Sequence, residues 1–117
     1  MFDIIVDRQS LVQVSYNMAK IYVNEFHRIL RPGGQVISLA FTDSHHSISQ
    51  GKYLKDGLYE DFFDGPFMNE GQRQFYSLNQ LRDLYRQFSI NSILKHEMNA
   101  VLGSGPCLSE YLLIATK

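Results

Sequence analysis

Glu25-Phe26-His27-Arg28-Ile29-Leu30-Arg31-Pro32-Gly33-Gly34-Gln35-Val36-Ile37-Ser38-Leu39-Ala40-Phe41 is the stretch that decides the fold. Its first part closes an amphipathic helix. Pro32 cannot continue that helix, and a glycine takes the positive φ that ends one. Val36 to Phe41 is then dense in apolar residues, as in a strand covered on both faces. Reading back, Met18, Ile21, Tyr22, Phe26, Ile29 and Leu30 fall on one face at helical spacing. The helix is expected from about Met18 to Leu30, with Asn17 as its cap and Arg28 and Arg31 near its negative end. Ser10 to Asn17 reads as an irregular loop, and Phe2 to Val6 as a buried strand rich in β-branched residues, ended by Asp7.

Reading forward, about Thr42 to Phe75 is the least regular stretch. It holds five glycines or prolines, Gly51, Gly57, Gly65, Pro66 and Gly71, among Tyr53, Tyr59, Phe62, Phe63 and Phe67. A solvated loop would not carry so many aromatics, so a packed insertion with one short helix is expected, and loops this long are usually functional. Ser77 and Gln80 fit a capping box that opens a second helix. Leu78, Leu81, Leu84, Tyr85 and Phe88 make its buried stripe. Strands follow at about Ile90–Met98 and Glu110–Thr116, with a turn at Gly103-Ser104-Gly105-Pro106. The order is strand, helix, strand, insertion, helix, strand, strand. It predicts one α/β domain over 1–117, with a sheet of about four strands. The sheet is mostly parallel with an antiparallel C-terminal strand, and helices pack on its faces.

The 117 residues are 44% hydrophobic and 20% charged, with a net charge of −1, which excludes a mainly electrostatic nucleic-acid binder. No apolar stretch approaches the roughly 20 residues that span a bilayer, so no membrane partner is expected. The N-terminal run has no basic leader and does not read as a signal peptide. One cysteine, Cys107, allows no internal disulfide, so a reducing cytoplasm is expected. Cys107 itself reads as a small buried apolar residue.

Four segments resemble the second half of the class I S-adenosylmethionine-dependent methyltransferases, whose seven strands end in an antiparallel pair. Phe2-Asp3-Ile4-Ile5-Val6 resembles that family's fourth strand. Glu25 to Gly34 resembles its E-x-x-R-[VIL]-L-[KR]-P-G-G segment, and Val36 to Phe41 the fifth strand that follows. Phe75-Tyr76-Ser77-Leu78-Asn79-Gln80-Leu81 resembles the opening of the last helix, and Leu112 to Lys117 the closing strand. The resemblance implies a Rossmann-like half-sheet and methyl transfer to a small molecule. It also exposes a gap. The family's Gly-rich loop after its first strand, and the acidic residue that binds the cofactor ribose, have no counterpart in these residues. The same logic governs dinucleotide sites. Gly103-Ser104-Gly105 does not qualify, because it precedes a strand. The first three strands are therefore expected to be missing, and the isolated chain to be incomplete or inactive.

Ligands of open α/β sheets bind beyond the carboxyl ends of the strands, here Asp7-Arg8-Gln9-Ser10-Leu11 and Phe41-Thr42-Asp43-Ser44-His45. By resemblance, Asp7, Arg8, Gln9, Ser10 and Leu11 line the methionine part of S-adenosylmethionine. Asp7 reads equally well as the residue that caps its loop, Arg8 as a paired surface cation, and Gln9 and Ser10 as loop hydrogen-bonders. His45 or His46 could take a proton from an acceptor, but both read better as plain loop histidines. No metal site is expected, because no third ligand has a familiar spacing. Asp56, Glu60, Asp61 and Asp64 would suit a cationic substrate and read better as a solvated acidic face.

Two further readings stand beside methyl transfer. One is a non-catalytic remnant serving as an interaction module, and the other an unrelated small α/β binding domain. An upstream reading frame encoding a strand and a G-x-G-x-G loop would separate the first reading from both. The first strand would normally pair with an absent one, so Phe2 to Val6 is expected to recruit either a second copy, as a homodimer, or the missing N-terminal half.

Overall fold

The computed structural model describes residues 1–103 and 107–117. Strand β1 is Phe2–Arg8, a 3-10 turn covers Ser10–Val12, helix α1 is Tyr16–Ile29 and strand β2 is Leu30–Phe41. A 3-10 turn at His46–Gln50 leads into three short strands, β3 (Lys52–Lys55), β4 (Leu58–Glu60) and β5 (Arg73–Gln74). Helix α2 is Leu78–Leu84, and β6 (Ser89–Met98) and β7 (Leu108–Thr116) close the chain. The turn expected at Gly103-Ser104-Gly105-Pro106 lies, beyond Gly103, outside the described residues.

The main sheet has the order β1-β2-β7-β6. β1 and β2 are parallel, and β7 runs antiparallel to both of its neighbours. Three strands therefore share one direction and the C-terminal strand opposes them, as the sequence order predicts. The insertion builds its own three-stranded sheet, β3-β4-β5, where only one short helix was expected. It leaves and rejoins the main body at one place. Tyr76 N–H donates to the Phe41 carbonyl at 2.9 Å, and Asp43 N–H to the Tyr76 carbonyl at 3.0 Å.

Both helices pack on the same side of the main sheet. Ala19 and Val23 of α1 join Leu81 and Leu84 of α2, Tyr85, Val36, Ala40, Leu113 and Ala115 in one core. This arrangement corrects several expectations. Met18, Ile21 and Tyr22 face outward, and the buried stripe of α1 is Ala19 and Val23. Phe26, from the expected face, packs against the same core. Leu78 is likewise exposed, while Leu81, Leu84, Tyr85 and Phe88 are buried as expected. Ser15, not Asn17, caps α1 by accepting the Met18 N–H at 3.3 Å, so the helix begins earlier than its apolar spacing suggests.

Among the described residues, the opposite face of the sheet carries no helix. Ile4 and Val6 are exposed there, and Ile37, Leu39, Leu112 and Ile114 are half-buried. β1 is thus not a buried strand, and β2 is covered on one face only. Residues alternate between faces with period two, so Ile5, Asp7, Val36, Ser38 and Ala40 turn to the helices instead.

The Pro-Gly-Gly segment acts differently from a simple helix stop. The helix has already ended, because Leu30 is extended. Pro32 to Gly34 lies inside β2, where the β1–β2 register jumps from Phe2↔Leu30 to Ile4↔Gln35. Gly33 has φ of 83°, and a Cβ on Gly34 would sit 2.9 Å from the Arg31 carbonyl oxygen. The two glycines let the chain bulge and then return to the ladder.

Candidate functional site

β1 ends in a left-handed turn at Gln9, with φ of 61° and ψ of 24°. Three hydrogen bonds to Asp7 fix that turn. Asp7 Oδ1 accepts from the Ser10 N–H (3.1 Å) and the Ser10 hydroxyl, and Oδ2 accepts from the Ser38 hydroxyl at 2.8 Å. Asp7 is buried on the helix side of the sheet, and Leu11 is fully buried in the core. The Leu11 carbonyl accepts the Tyr76 hydroxyl at 2.7 Å. Arg8 lies exposed on the helix-free side, and Ser10 is exposed beside the turn. Of the five residues expected at the cofactor, Gln9 reaches an open cavity.

That cavity has a volume of about 210 Å³ and lies at the carboxyl ends of β1, β2 and β6. Phe41, Met98 and Leu108 line it from the sheet, and His45 and Phe67 from the insertion. Beside His45, its polar residues are Gln9, His96, Ser109 and Glu110. Gln9 Nε2 donates to Glu110 Oε2 at 3.0 Å. His96 Nδ1 stands 3.6 Å from Glu110 Oε1, and the two residues are register partners across β6 and β7.

The aromatic side chains of the insertion form a local core that also walls the pocket. The Phe41 and Phe67 rings lie 5.1 Å apart, and His45 stacks on Phe67 at 5.3 Å. His45 is almost fully buried. Its Nδ1 accepts the Ser47 N–H at 3.1 Å, and a backbone N–H can only donate, so the proton sits on Nε2. Burial, followed by the neighbouring His46, lowers its pKa to about 4. His45 is therefore neutral at pH 7 and poor as a base. His46 is exposed, with Nε2 3.1 Å from the Gln50 amide. Cys107 is half-buried, and its carbonyl accepts the His46 N–H at 2.8 Å. Asp56, Asp61 and Asp64 are exposed. Among the described residues, no group of three His, Cys, Asp or Glu side chains is arranged to hold a metal ion.

The sequence reading missed His96 and Glu110. The available signal was a polar interruption of a period-two face, with His96 between Leu94 and Met98 on one side of a strand. Pairing it with Glu110 required the register.

This architecture recurs in solved structures. A SAM-dependent methyltransferase from Methanosarcina mazei superposes with a TM-score of 0.73 at 18% identity, over 99% of this chain and 59% of that one. The chain has a class I S-adenosylmethionine-dependent methyltransferase-like fold. A methyltransferase of the same cofactor class from Clostridium acetobutylicum matches with a TM-score of 0.66 at 15% identity, over 98% of this chain and 58% of that one. The Burkholderia thailandensis 1,6-didemethyltoxoflavin-N1-methyltransferase, bound to 1,6-didemethyltoxoflavin and S-adenosylhomocysteine, gives 0.63 at 19% identity, over 99% and 44%. The chain thus spans 44% to 59% of the length of these three proteins. No family model and no curated protein sequence matches it.

The residues present do not by themselves fit S-adenosylmethionine. The carboxylate nearest the expected position, Asp7, already holds Ser10 and Ser38 and faces the helices. Among the described residues no Gly-rich loop links a strand to a helix, and the acidic strand end that does occur, Glu60 of β4, belongs to the insertion.

Proposed function

We propose that this chain is the acceptor-side half of an S-adenosylmethionine-dependent methyltransferase acting on a small molecule. One observation carries the reading. In a chain with this fold, the pocket opens where open α/β sheets take their ligands, between the loop after β1 and the insertion after β2. The cofactor would supply an activated methyl group, and its main binding groups would come from residues outside this sequence. Gln9 is the residue of the β1 loop best placed to meet it, while Asp7, Ser10 and Leu11 hold the loop in shape. The substrate class is not fixed by the fold, which hosts many acceptors. Positioning of the acceptor is the main catalytic task in this reading.

A second reading is a non-catalytic interaction module. The exposure of Phe2, Ile4 and Val6 on an unpaired edge strand favours it. The partner would be a second copy or a cofactor-binding half.

Calorimetric titration of the chain with S-adenosylmethionine, alone and mixed with a candidate cofactor-binding half, tests the proposal. Saturable binding that requires the second half, with methyl transfer to a screened acceptor, is expected. Self-association with no cofactor binding in either mixture would leave the interaction module.

A further inference from the structure

We propose that the pocket binds a single-ring phenol and that the His96–Glu110 pair takes its hydroxyl proton. The inference rests on the acceptor-side reading only for the later use of the phenolate. Binding and proton transfer belong to this chain alone.

Size and lining come first. An apolar cavity of about 150 Å³ is enough to hold benzene. A pocket of about 210 Å³ therefore takes one substituted ring. Phe41 and Phe67 offer aromatic surfaces, and Met98 and Leu108 complete an apolar lining. The ring thus has somewhere to stack, and its polar substituent is left Gln9, Glu110 or His96 to meet, because the Ser109 hydroxyl already accepts from Thr42 and donates to Glu97.

The arrangement of those three is ordered. Gln9 occupies Glu110 Oε2, and Glu110 Oε1 faces His96 Nδ1. Nε2 of His96 remains to accept a proton. The 3.6 Å gap is longer than a hydrogen bond, as is common in sites without substrate, and closes when the ring becomes an imidazolium. The phenol O–H bond breaks, its proton moves to Nε2, and the electron pair stays on the phenolate oxygen. Glu110 balances the imidazolium charge. The substrate arrives as the neutral phenol, and the bound phenolate faces the imidazolium that Glu110 stabilises.

Among the described residues no Lys or Arg lines the pocket; Arg8 lies on the same face of the sheet outside it, and the Arg73 guanidinium sits 5.3 Å from the centre of the Phe67 ring. His45, from the insertion, carries no charge at pH 7. Lys95 and Glu97, the neighbours of His96 on β6, turn to the other side of the sheet and pair with each other at 3.1 Å. Gln9, from the β1 turn, is neutral.

The test uses 4-nitrophenol, whose anion absorbs at longer wavelength than the neutral form. The chain is added to the dye at a pH where the free dye is mostly protonated. A saturable rise of the phenolate band is expected. His96→Gln and Glu110→Gln should each lower the bound phenolate-to-phenol ratio about tenfold, one pKa unit. Gln at position 110 keeps an acceptor for Gln9, and circular dichroism melts establish that both variants fold. His46→Gln, altered at an exposed residue outside the pocket, should match wild type. No saturable binding, binding without a band change, a band change undiminished in His96→Gln, or stronger binding of benzylamine than of the phenol would each overturn the proposal. None of these outcomes bears on S-adenosylmethionine binding, so failure here and failure of the methyltransferase reading are separable.

Discussion

Ser38 donates its hydroxyl to Asp7 across the β1–β2 pair, at 2.8 Å, on the side of the sheet that the helices cover. The same carboxylate holds the Ser10 amide and hydroxyl, so one side chain joins two strands and sets the turn beyond them.

Asp7→Ala should therefore lower stability. It leaves the buried Ser38 hydroxyl and the Ser10 amide without partners, which costs about 1–3 kcal/mol. Urea unfolding followed by circular dichroism measures it. Unchanged stability would mean that the carboxylate is available to a ligand. Ser38→Ala should cost less, because Asp7 keeps its two bonds to Ser10.

The buried His45 makes stability depend on pH. Its folded pKa of about 4 lies below the ordinary value of 6.5. The folded state therefore favours the neutral ring, and the unfolded chain binds the proton first. The contribution is complete above pH 6.5, is lost progressively as the pH falls toward 4, and then levels off. His45→Asn retains an acceptor for the Ser47 N–H and cannot titrate. Urea midpoints measured between pH 7 and 4 should fall more steeply for wild type than for this variant. Parallel curves would mean that the ring is accessible to solvent when folded.

The two glycines of the β2 bulge should respond differently to alanine. At Gly34 the new Cβ would lie 2.9 Å from both the Arg31 carbonyl oxygen and Leu30 Cδ2, and 3.1 Å from the Asp3 carbonyl oxygen. Overpacking of this kind costs roughly 1–3 kcal/mol. At Gly33 the nearest atom is the end of Arg31, at 3.7 Å, so only the left-handed backbone is strained, at about 1–2 kcal/mol. Combining Gly33→Ala with Arg31→Ala should leave the Gly33 penalty unchanged, whereas Gly34→Ala should still be destabilising in a shortened Leu30→Ala background because its backbone contacts remain. Denaturant midpoints of these variants decide the matter.

The edge strand should mediate association. Sedimentation at micromolar concentration is expected to show mass above that of one chain, through β1 and the face bearing Ile4 and Val6. Ile4→Lys with Val6→Lys should shift the distribution to the monomer, since charge on an edge opposes pairing. A wild-type chain that sediments as a monomer would remove the homodimer.

Much of the fold was legible because its signals are local. The capping box is one: Gln80 N–H donates to Ser77 Oγ at 3.1 Å, and Ser77 N–H to Gln80 Oε1 at 3.0 Å. The positions and directions of the four main-sheet strands and the body of the first helix also follow from short-range spacing, whereas the three short strands of the insertion do not. The outward turn of Met18, Ile21 and Tyr22 was not legible. A helical wheel reports which residues share a face, and α1 offers two usable faces. Ala19 and Val23 turn to the core, with Phe26 of the expected face packed against it.

The candidate site divides in the same way. Its location beyond the strand ends followed from the strand–helix–strand order, a consequence of chain connectivity written in the sequence. The sequence by itself also determined that 117 near-neutral residues form a four-stranded sheet ending in an antiparallel strand. Only the tertiary structure decided that Gln9, His96 and Glu110 meet in one pocket while Asp7 turns away. Their meeting depends on cross-strand register and on the period-two alternation of faces. A shift of one residue in either strand would send His96 and Glu110 to opposite sides of the sheet, and no local pattern in the sequence carries that information.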